Sequence, residues 1–354
     1  MHNMHAASRE WATRPTDERF ATMASLHDAA QADKAASREI EVDAAGLTVE
    51  ARDGAVWLRS GAAGAPLGAW AFEQAARLGG APPGYLQSLT APSAAQALNE
   101  SLAATRGARA DSMLRLLARK GEIAAVNGPR YGRIWDADVV TEVKNLDGNW
   151  TTPPAYGDAP SGLYRGDRDL FIFQVDGDRR IEDGSPQGLG RGFFVWNSEV
   201  GARSFGISTF FYRYICGNHI VWGASNVTES RLRHVGAEAW TRARAEVELN
   251  LRQWANEGAS GVEAQIRVAQ ATVLGKDKAA TTAAVVRATG ASAKLVSGAW
   301  DAASQWADLD GAPNTLWGMA QAITRYSQSS EWTAARVETD RIAGQLLNIM
   351  ITRS

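Results

Sequence analysis

Residues 191–223 read RGFFVWNSEVGARSFGISTFFYRYICGNHIVWG, and this stretch decides how the chain folds. Aromatic residues alternate with small and polar ones, a period of two that indicates β-strands. At 205–213 the aromatic side chains fall on both faces of such a strand, which predicts a central strand covered on both sides. Polar residues in so apolar a run must find partners, because burying one unpaired costs about 1–3 kcal/mol. The stretch is therefore either part of the core, with its polar groups hydrogen-bonded, or a functional site.

Turn and capping residues divide the rest of the chain into short elements. The sequence predicts further strands and helices at 38–60, 69–78, 93–105, 112–126, 136–146 and 163–234, with hairpin turns at Asp53-Gly54 and Lys120-Gly121 and an N-cap at Asp136. Beyond Gly236 the pattern is helical almost to the end. We therefore predict an α+β fold, in which a mixed or antiparallel sheet packs with helices and is followed by a helical C-terminal region.

Three regions follow from this pattern. Residues 1–36 are polar, rich in alanine and without sustained periodicity, so we expect a mobile or loosely helical N-terminal arm. Residues 37–236 form the α+β core, and 237–354 the helical region. Glycine, proline and aspartate are frequent at 147–162, which makes that segment the best place for a subdivision of the core.

Composition narrows the function. The 354 residues carry a net charge of −2, which does not indicate a field that binds polyanions over the whole surface. The single cysteine, Cys216, excludes a disulfide within the chain and a cysteine-rich zinc site. No secretory signal and no membrane-spanning stretch is visible. We expect a cytoplasmic protein of a bacterial host cell, without membrane association and without a cofactor.

A cysteine, an asparagine and a histidine lie within four positions at 216–219. Cys216 and His219 are therefore candidates for thiol catalysis or for two metal ligands. Thiol catalysis needs these groups to converge from separate parts of a chain, which such crowding disfavours. The favoured interpretation is a turn at Gly217-Asn218 with Cys216 buried as a small apolar residue.

Glu199 follows an aromatic segment and is a third candidate for catalysis, because an apolar setting raises the pKa of a carboxyl group. A paired-carboxylate hydrolase or a two-metal nuclease would need Asp169 or Asp176 beside it. The alternative is a carboxylate at a strand end that pairs with Arg203 or Arg213. The sequence leaves both interpretations open.

Basic residues are concentrated at 106–133, where seven basic residues stand against two acidic ones. Together with the aromatic run, this pattern is typical of single-stranded nucleic-acid binding, in which bases stack on aromatic rings and guanidinium groups follow phosphates. Candidates for such contacts are Arg115, Arg119, Lys120, Arg130, Tyr131, Arg133, Arg203, Arg213, Arg231 and Arg233. Alternatively, the arginines coat a solvated sheet edge, and Arg213 belongs to a structural ion pair.

The elements W-N-S-E-V-G at 196–201, C-G-N-H-I-V-W-G at 216–223 and NTLWGMAQAITRYSQ at 314–328 resemble a known family. It is the "domain of unknown function 932" family of phage- and plasmid-encoded proteins, and the resemblance covers roughly residues 65–330. It supplies no catalytic residues. Its mobile-element context implies replication, annealing or recombination of DNA, or interference with host defence.

Three hypotheses follow. The leading one is a non-enzymatic, mobile-element protein that binds nucleic acid, with single-stranded DNA favoured. The second is a metal-dependent phosphodiesterase or nuclease-like enzyme that uses Glu199, His219 and nearby aspartates. The third is a protein that interacts with a host-defence partner through its C-terminal helices. A protein partner and a homo-oligomer are left open in each case.

Overall fold

The computed structural model describes residues 14–105, 113–153, 162–182, 188–213, 229–256, 259–303, 311–328, 339 and 342–347. Among these residues every ladder between two labelled strands is antiparallel, and Leu67 and Ile123 form an isolated parallel bridge. Helices are present on the N-terminal side of the sheets, between them and after them. The predicted α+β fold with C-terminal helices is confirmed, in its antiparallel form.

The N-terminal part of the fold consists of two small sheets and three helices. In chain order these elements are β1 (Ser37–Asp43), β2 (Leu47–Arg52), β3 (Ala55–Ser60), β4 (Ala63–Pro66), α2 (Ala69–Leu78), α3 (Pro83–Gln87), α4 (Ala91–Ala104), β5 (Met113–Arg119) and β6 (Glu122–Asn127). One sheet has the order β1-β5-β6 and the other β2-β3-β4. Their apolar faces share one core with the helices, which buries Leu58, Leu98 and Leu116.

Both predicted hairpin turns are present. Strands β2 and β3 turn at Asp53 and Gly54, with φ angles of 53° and 75°. Strands β5 and β6 turn at Lys120 and Gly121, with φ angles of 50° and 84°. Two successive residues with positive φ give the turn whose twist matches that of the strands, and glycine adopts this conformation without strain.

A six-stranded sheet forms the centre of the molecule. The elements of this part are α5 (Asp136–Lys144), β7 (Trp150–Thr151), β8 (Leu163–Arg165), β9 (Leu170–Ile181), β10 (Leu189–Asn197), β11 (Phe205–Arg213) and β12 (Glu229–Leu232). The strand order is β12-β11-β10-β9-β7, and β8 also pairs with β9. Every residue of β10 is buried, as are residues 205–209 of β11. The prediction of a central strand covered on both sides is confirmed for residues 205–209 of β11.

The segment predicted as a subdivision, 147–162, contributes to this sheet. Strand β7 pairs with β9 through Trp150 and Thr151, opposite Asp176 and Val175. The ring of Trp150 also packs edge-on against Phe193, with ring centroids 4.9 Å apart. The described ends of the segment are thus part of the central sheet, while residues 154–161 lie outside the described range.

A helix precedes β1 where the sequence predicted a mobile or loosely helical arm. Helix α1 (Met23–Ala35) begins with a capping box, in which Thr22 and Ser25 satisfy each other's backbone N–H groups. Leu26 and Ala30 are buried in the same apolar core as α5, β10 and β11. Residues 23–35 therefore belong to the packed fold. Residues 1–13, the remainder of the predicted arm, lie outside the described range.

The C-terminal helices contribute to two apolar cores that also contain residues of the central sheet. They are α6 (Ala239–Asn256), α7 (Ala259–Ala271), α8 (Lys278–Thr289), α9 (Ala293–Ala303) and α10 (Leu316–Gln328). Helix α6 buries Ala239, Ala243 and Val247 in the core that contains β11. Helices α8 to α10 share a second core with Ile181 of β9 and Leu189 of β10. Within the described part of the chain, no helix is long and apolar enough to cross a membrane.

Candidate functional site: a buried charge cluster and an adjoining arginine surface

Glu199 lies just beyond the end of β10, where the central sheet meets the N-terminal part of the fold. Its side chain is only 4% exposed. Oε1 accepts a hydrogen bond from Arg119 on β5 and another, of 3.2 Å, from Arg165 on β8. Oε2 accepts a 3.1 Å hydrogen bond from the backbone N–H of Asp136. The structure thus places Glu199 in a buried ion-pair network, and Arg119 and Arg165 take the place of the expected partner Arg203.

Arg165 holds three carboxylates with one guanidinium group. Nε donates to Asp136 at 3.1 Å, Nη1 to Asp33 at 2.7 Å and Nη2 to Glu199 at 3.2 Å. Burial by itself would lower the pKa of Arg165, but the charges of Asp136 and Glu199 raise it, so the group stays protonated. Burial alone would raise the pKa of Asp33, yet hydrogen bonds from Lys120 and Arg165 keep that pKa below its ordinary value.

Asp136 is the first residue of α5, and its side chain is 2% exposed. Trp135 occupies the N-cap position for which the sequence predicted Asp136, and the carboxylate of Glu199 satisfies the backbone N–H of Asp136 from another part of the chain. Oδ1 of Asp136 accepts a 2.8 Å hydrogen bond from Asn197. Burial raises the pKa of Asp136 to about 7, and the nearby Glu199 adds to this, whereas Arg165 and Asn197 oppose it.

We call this network the buried cluster. Its members are Asp33, Arg119, Asp136, Arg165, Asn197 and Glu199. They come from α1, β5, α5, β8 and the end of β10, so the cluster joins the N-terminal part of the fold to the central sheet. Breaking a buried pair is far more costly than breaking a surface pair, because it leaves a charge without a partner. The cluster therefore fixes the relative positions of these elements.

Tyr131, Arg133 and His234 form a layer beside the buried cluster. The hydroxyl group of Tyr131 lies 3.1 Å from the carbonyl oxygen of Ser198, 3.2 Å from that of Glu199 and 3.1 Å from Nδ1 of His234. The rings of Tyr131 and His234 stack, with centroids 5.3 Å apart. Burial, together with the charge of Arg133, lowers the pKa of His234 to about 4, so this imidazole is neutral near pH 7.

Four of the predicted nucleic-acid contacts are engaged within the protein. Arg133 donates to Glu39 at 2.7 Å and to the carbonyl oxygen of Glu199, and its side chain is 2% exposed. Arg119 is bound in the buried cluster. Arg203 pairs with Asp169 at 2.5 Å and lies over the ring of Phe171. Arg115 donates to the carbonyl oxygen of Tyr131 at 3.0 Å and faces Glu41 at 3.3 Å.

Three predicted arginines are exposed, and we call them the arginine surface: Arg130, Arg231 and Arg233. Among the described residues, neither Arg130 nor Arg233 has an acidic partner. Arg231 is located on β12, with its guanidinium group 6.0 Å from the ring centre of Trp196. Lys120 is 68% exposed but pairs with Asp33 at 2.8 Å. Cys216, His219 and the side chain of Arg213 lie outside the described range.

The aromatic rings described at residues 193–205 of the opening stretch are not available for base stacking. Phe193, Phe194 and Phe205 are each at most 1% exposed, and Trp196 is 6% exposed. Phe194 packs against Trp196 and against Phe173, with ring centroids 5.3 Å apart in both pairs. These rings form the core of the central sheet. A nucleic-acid contact in this region would therefore depend on the arginines.

The described residues contain no group of three or more histidine, cysteine, aspartate and glutamate side chains that could hold a metal ion. Asp169 and Asp176, the expected carboxylate neighbours of Glu199, pair instead with arginines: Asp169 with Arg14 and Arg203, and Asp176 with Arg191. The second carboxylate near Glu199 is Asp136. Arg165 is hydrogen-bonded to both carboxylates and acts as their counter-charge.

The sequence did not reveal Arg165 or the inner role of Asp136. Arg165 ends a three-residue strand, and nothing in its neighbours distinguishes a buried arginine from one at a sheet edge. The one usable signal was polar residues among apolar ones at 197–199, which need buried partners. That signal indicated a network without naming its other members.

A family model described as "Domain of unknown function (DUF932)" matches residues 125–344. No curated protein and no solved structure matches the chain. The matched range includes Asp136, Arg165, Asn197, Glu199 and the arginine surface. Asp33 and Arg119 precede it, so part of the buried cluster comes from outside the matched range.

Proposed function

The chain belongs to the DUF932 family, and from this premise we propose that it binds nucleic acid, with single-stranded DNA favoured, through Arg130, Arg231 and Arg233. The observation that carries the proposal is the exposure of Arg130 and Arg233 on two chain segments that pair with each other. Their guanidinium groups have no acidic partner among the described residues and are free to bind phosphate.

The two segments are held in a defined arrangement. The N–H of Gly236 donates to the carbonyl oxygen of Arg130 at 2.8 Å, and the N–H of Gly132 donates to that of His234 at 3.1 Å. Tyr131 and Val235 form the bridge between them. Because the backbone is already fixed, less conformational entropy is lost when the arginines bind a ligand.

Single-stranded DNA is favoured by what lies beside these arginines. Val235 is 45% exposed between Arg233 and the turn at Gly236. An exposed apolar side chain flanked by guanidinium groups suits a strand whose bases are unstacked and whose phosphates lie alongside. Such binding would serve replication, annealing or recombination of DNA. The enzymatic and host-defence hypotheses gain no comparable support from the described residues.

The test is fluorescence anisotropy with a labelled single-stranded oligonucleotide and its duplex, each at two salt concentrations. We expect tighter binding to the single strand, and affinity that falls as salt rises, since each phosphate contact contributes roughly −0.7 to the slope of log K against log salt. The double variant Arg130→Ala/Arg233→Ala should weaken binding and flatten that slope by roughly 1.4.

The matched control is Arg287→Ala/Lys294→Ala, which removes two exposed positive charges from the C-terminal helices instead. It changes the net charge equally and should leave affinity and salt slope close to the wild type. Binding no tighter than millimolar at low salt would contradict the proposal. Equal losses in the two double variants would show that only net charge matters.

A further inference from the structure

Asp136 and Glu199 are two buried carboxylates held by one arginine. Both accept hydrogen bonds from the same guanidinium group, that of Arg165, at 3.1 and 3.2 Å. In addition, Oε2 of Glu199 is bound to the backbone N–H of Asp136 itself. Both side chains are at most 4% exposed. Burial and the nearby charge of Glu199 favour the protonated form of Asp136, against the charge of Arg165.

The pair is connected directly to the arginine surface. The carbonyl oxygen of Glu199 accepts hydrogen bonds from Arg133 and from the hydroxyl group of Tyr131. Tyr131 follows Arg130 in the chain and bridges to Val235, which follows His234. Residues 130–136 therefore run from an exposed arginine to a buried carboxylate without interruption. These contacts connect Glu199 and Asp136 to Arg130. A change in the hydrogen bonds of the two carboxylates therefore alters the position of Arg130.

We propose that a proton on Asp136, beside Glu199, controls how firmly residues 130–136 are held, and thereby controls nucleic-acid binding at the arginine surface. The binding part of this proposal rests on the proposed function. With the proton in place, the buried cluster holds the segment. Without it, two negative charges repel each other and the segment loosens.

The charged groups around the pair come from every element packed against it. They are Asp33 of α1, Glu39 of β1, Arg119 of β5, Lys120 of the following turn, Tyr131, Arg133, Arg165 of β8 and His234. Burial raises the pKa of Tyr131 above its ordinary value, and burial together with Arg133 lowers the pKa of His234 to about 4. Among these groups, Asp136, whose pKa burial raises to about 7, is the one expected to titrate between pH 6 and 8.

The sign of the pH dependence follows from the pKa of Asp136 in the folded and in the unfolded chain. The pKa of Asp136 is about 7 in the folded chain and 3.8 ordinarily, so the folded state binds this proton more tightly. The stability contributed by the proton is complete below the ordinary value and is lost as the pH rises through about 7. Residues 130–136 should therefore be held more firmly at pH 6 than at pH 8.

The first measurement is amide hydrogen exchange of the segment at pH 6 and pH 8, corrected for the intrinsic pH dependence of exchange. Protection in the wild type should be lower at pH 8, whereas Asp136→Asn should show no such change. Asp138→Asn is the matched control, because Asp138 lies in the same helical turn but pairs with Lys34 outside the pair. Protection independent of pH in the wild type, or wild-type behaviour in Asp136→Asn, would overturn the proposal.

The second measurement is oligonucleotide anisotropy at the same two pH values. We expect affinity to fall by about five- to tenfold from pH 6 to 8 in the wild type and in Asp138→Asn, but not in Asp136→Asn. If protection depends on pH but affinity does not, the proposal that the proton controls nucleic-acid binding is wrong. If no oligonucleotide binds at either pH while protection still changes, the proposed function fails and the proton-controlled segment stands. Glu199→Gln serves if Asp136→Asn does not fold.

Discussion

At the scale of single residues, Arg165 does most to hold the buried cluster together. It is 7% exposed on its side chain and donates to Asp33, Asp136 and Glu199 at once. A planar guanidinium with five donors can satisfy three acceptors in different directions, which the ammonium group of a lysine cannot do in the same geometry. The identity of this residue matters for that reason, beyond its charge.

Replacing Arg165 tests this role. Arg165→Ala leaves Asp136 and Glu199 buried without their shared partner, and we expect a loss of about 3–5 kcal/mol in the free energy of unfolding. Arg165→Lys should recover only part of it. Urea denaturation measures both. Arg252→Ala removes a pair with Glu248 in which both side chains are mostly exposed, and should change stability by at most about 1 kcal/mol. An equally small effect at Arg165 would contradict the cluster's structural role.

At the scale of secondary-structure elements, contacts between neighbouring elements determine how a helix is capped and which residue fits at a strand position. Helix α5 has its first backbone N–H satisfied by Glu199 rather than by a cap of its own. In the central sheet, Gly206 of β11 lies opposite Trp196 of β10. A Cβ atom at Gly206 would lie 2.1 Å from the ring of Trp196, so glycine leaves the room that this ring occupies.

Gly206→Ala should therefore destabilise the central sheet by about 3 kcal/mol, because the tryptophan ring would have to leave its place in a packed core. Gly121→Ala is the comparison. Its Cβ meets nothing within 4 Å, so only the backbone strain at a φ of +84° remains, about 1 kcal/mol. Urea denaturation gives the two losses, and near-ultraviolet circular dichroism reports on the tryptophan environment. A smaller loss at Gly206 than at Gly121 would show that the ring adjusts easily.

At the scale of the whole molecule, α1 joins a part of the chain outside the family match to the central fold. Leu26 is fully buried beside α5 and the central sheet, and Asp33 reaches Arg165. These contacts explain how a segment with weak helical periodicity becomes ordered. Most helix stability in proteins comes from packing an apolar face rather than from local propensity.

Leu26→Ala distinguishes a packed helix from a mobile arm. We expect it to lower the free energy of unfolding by about 2–5 kcal/mol, through lost apolar contact and the cavity left behind. The neighbouring Asp28 is 82% exposed on its side chain, so Asp28→Ala should stay within about 0.5 kcal/mol of the wild type. Thermal or urea unfolding monitored by circular dichroism suffices. Equal stability of the two variants would show that residues 23–35 are a mobile arm and not a packed helix.

Local pattern by itself determined the antiparallel-compatible strands, the two hairpin turns and the helical C-terminal region. Alternation of side chains and the positive φ of turn residues act over a few positions and are readable in any short window. The basic character of residues 106–133 is also a local property. Which of those charges face solvent is not, because exposure depends on neighbours that are distant in the chain.

The tertiary structure alone determines which arginines and carboxylates in and around residues 191–223 form buried ion pairs and which are exposed. Glu199 meets Arg119 from 80 positions away and Arg165 from 34, and Arg165 meets Asp33 from 132. A buried carboxylate needs a positively charged partner, but the sequence does not show which arginine of the chain supplies it. Only the folded chain selects one, and in doing so it leaves Arg130 and Arg233 exposed while Arg119 and Arg133 are enclosed.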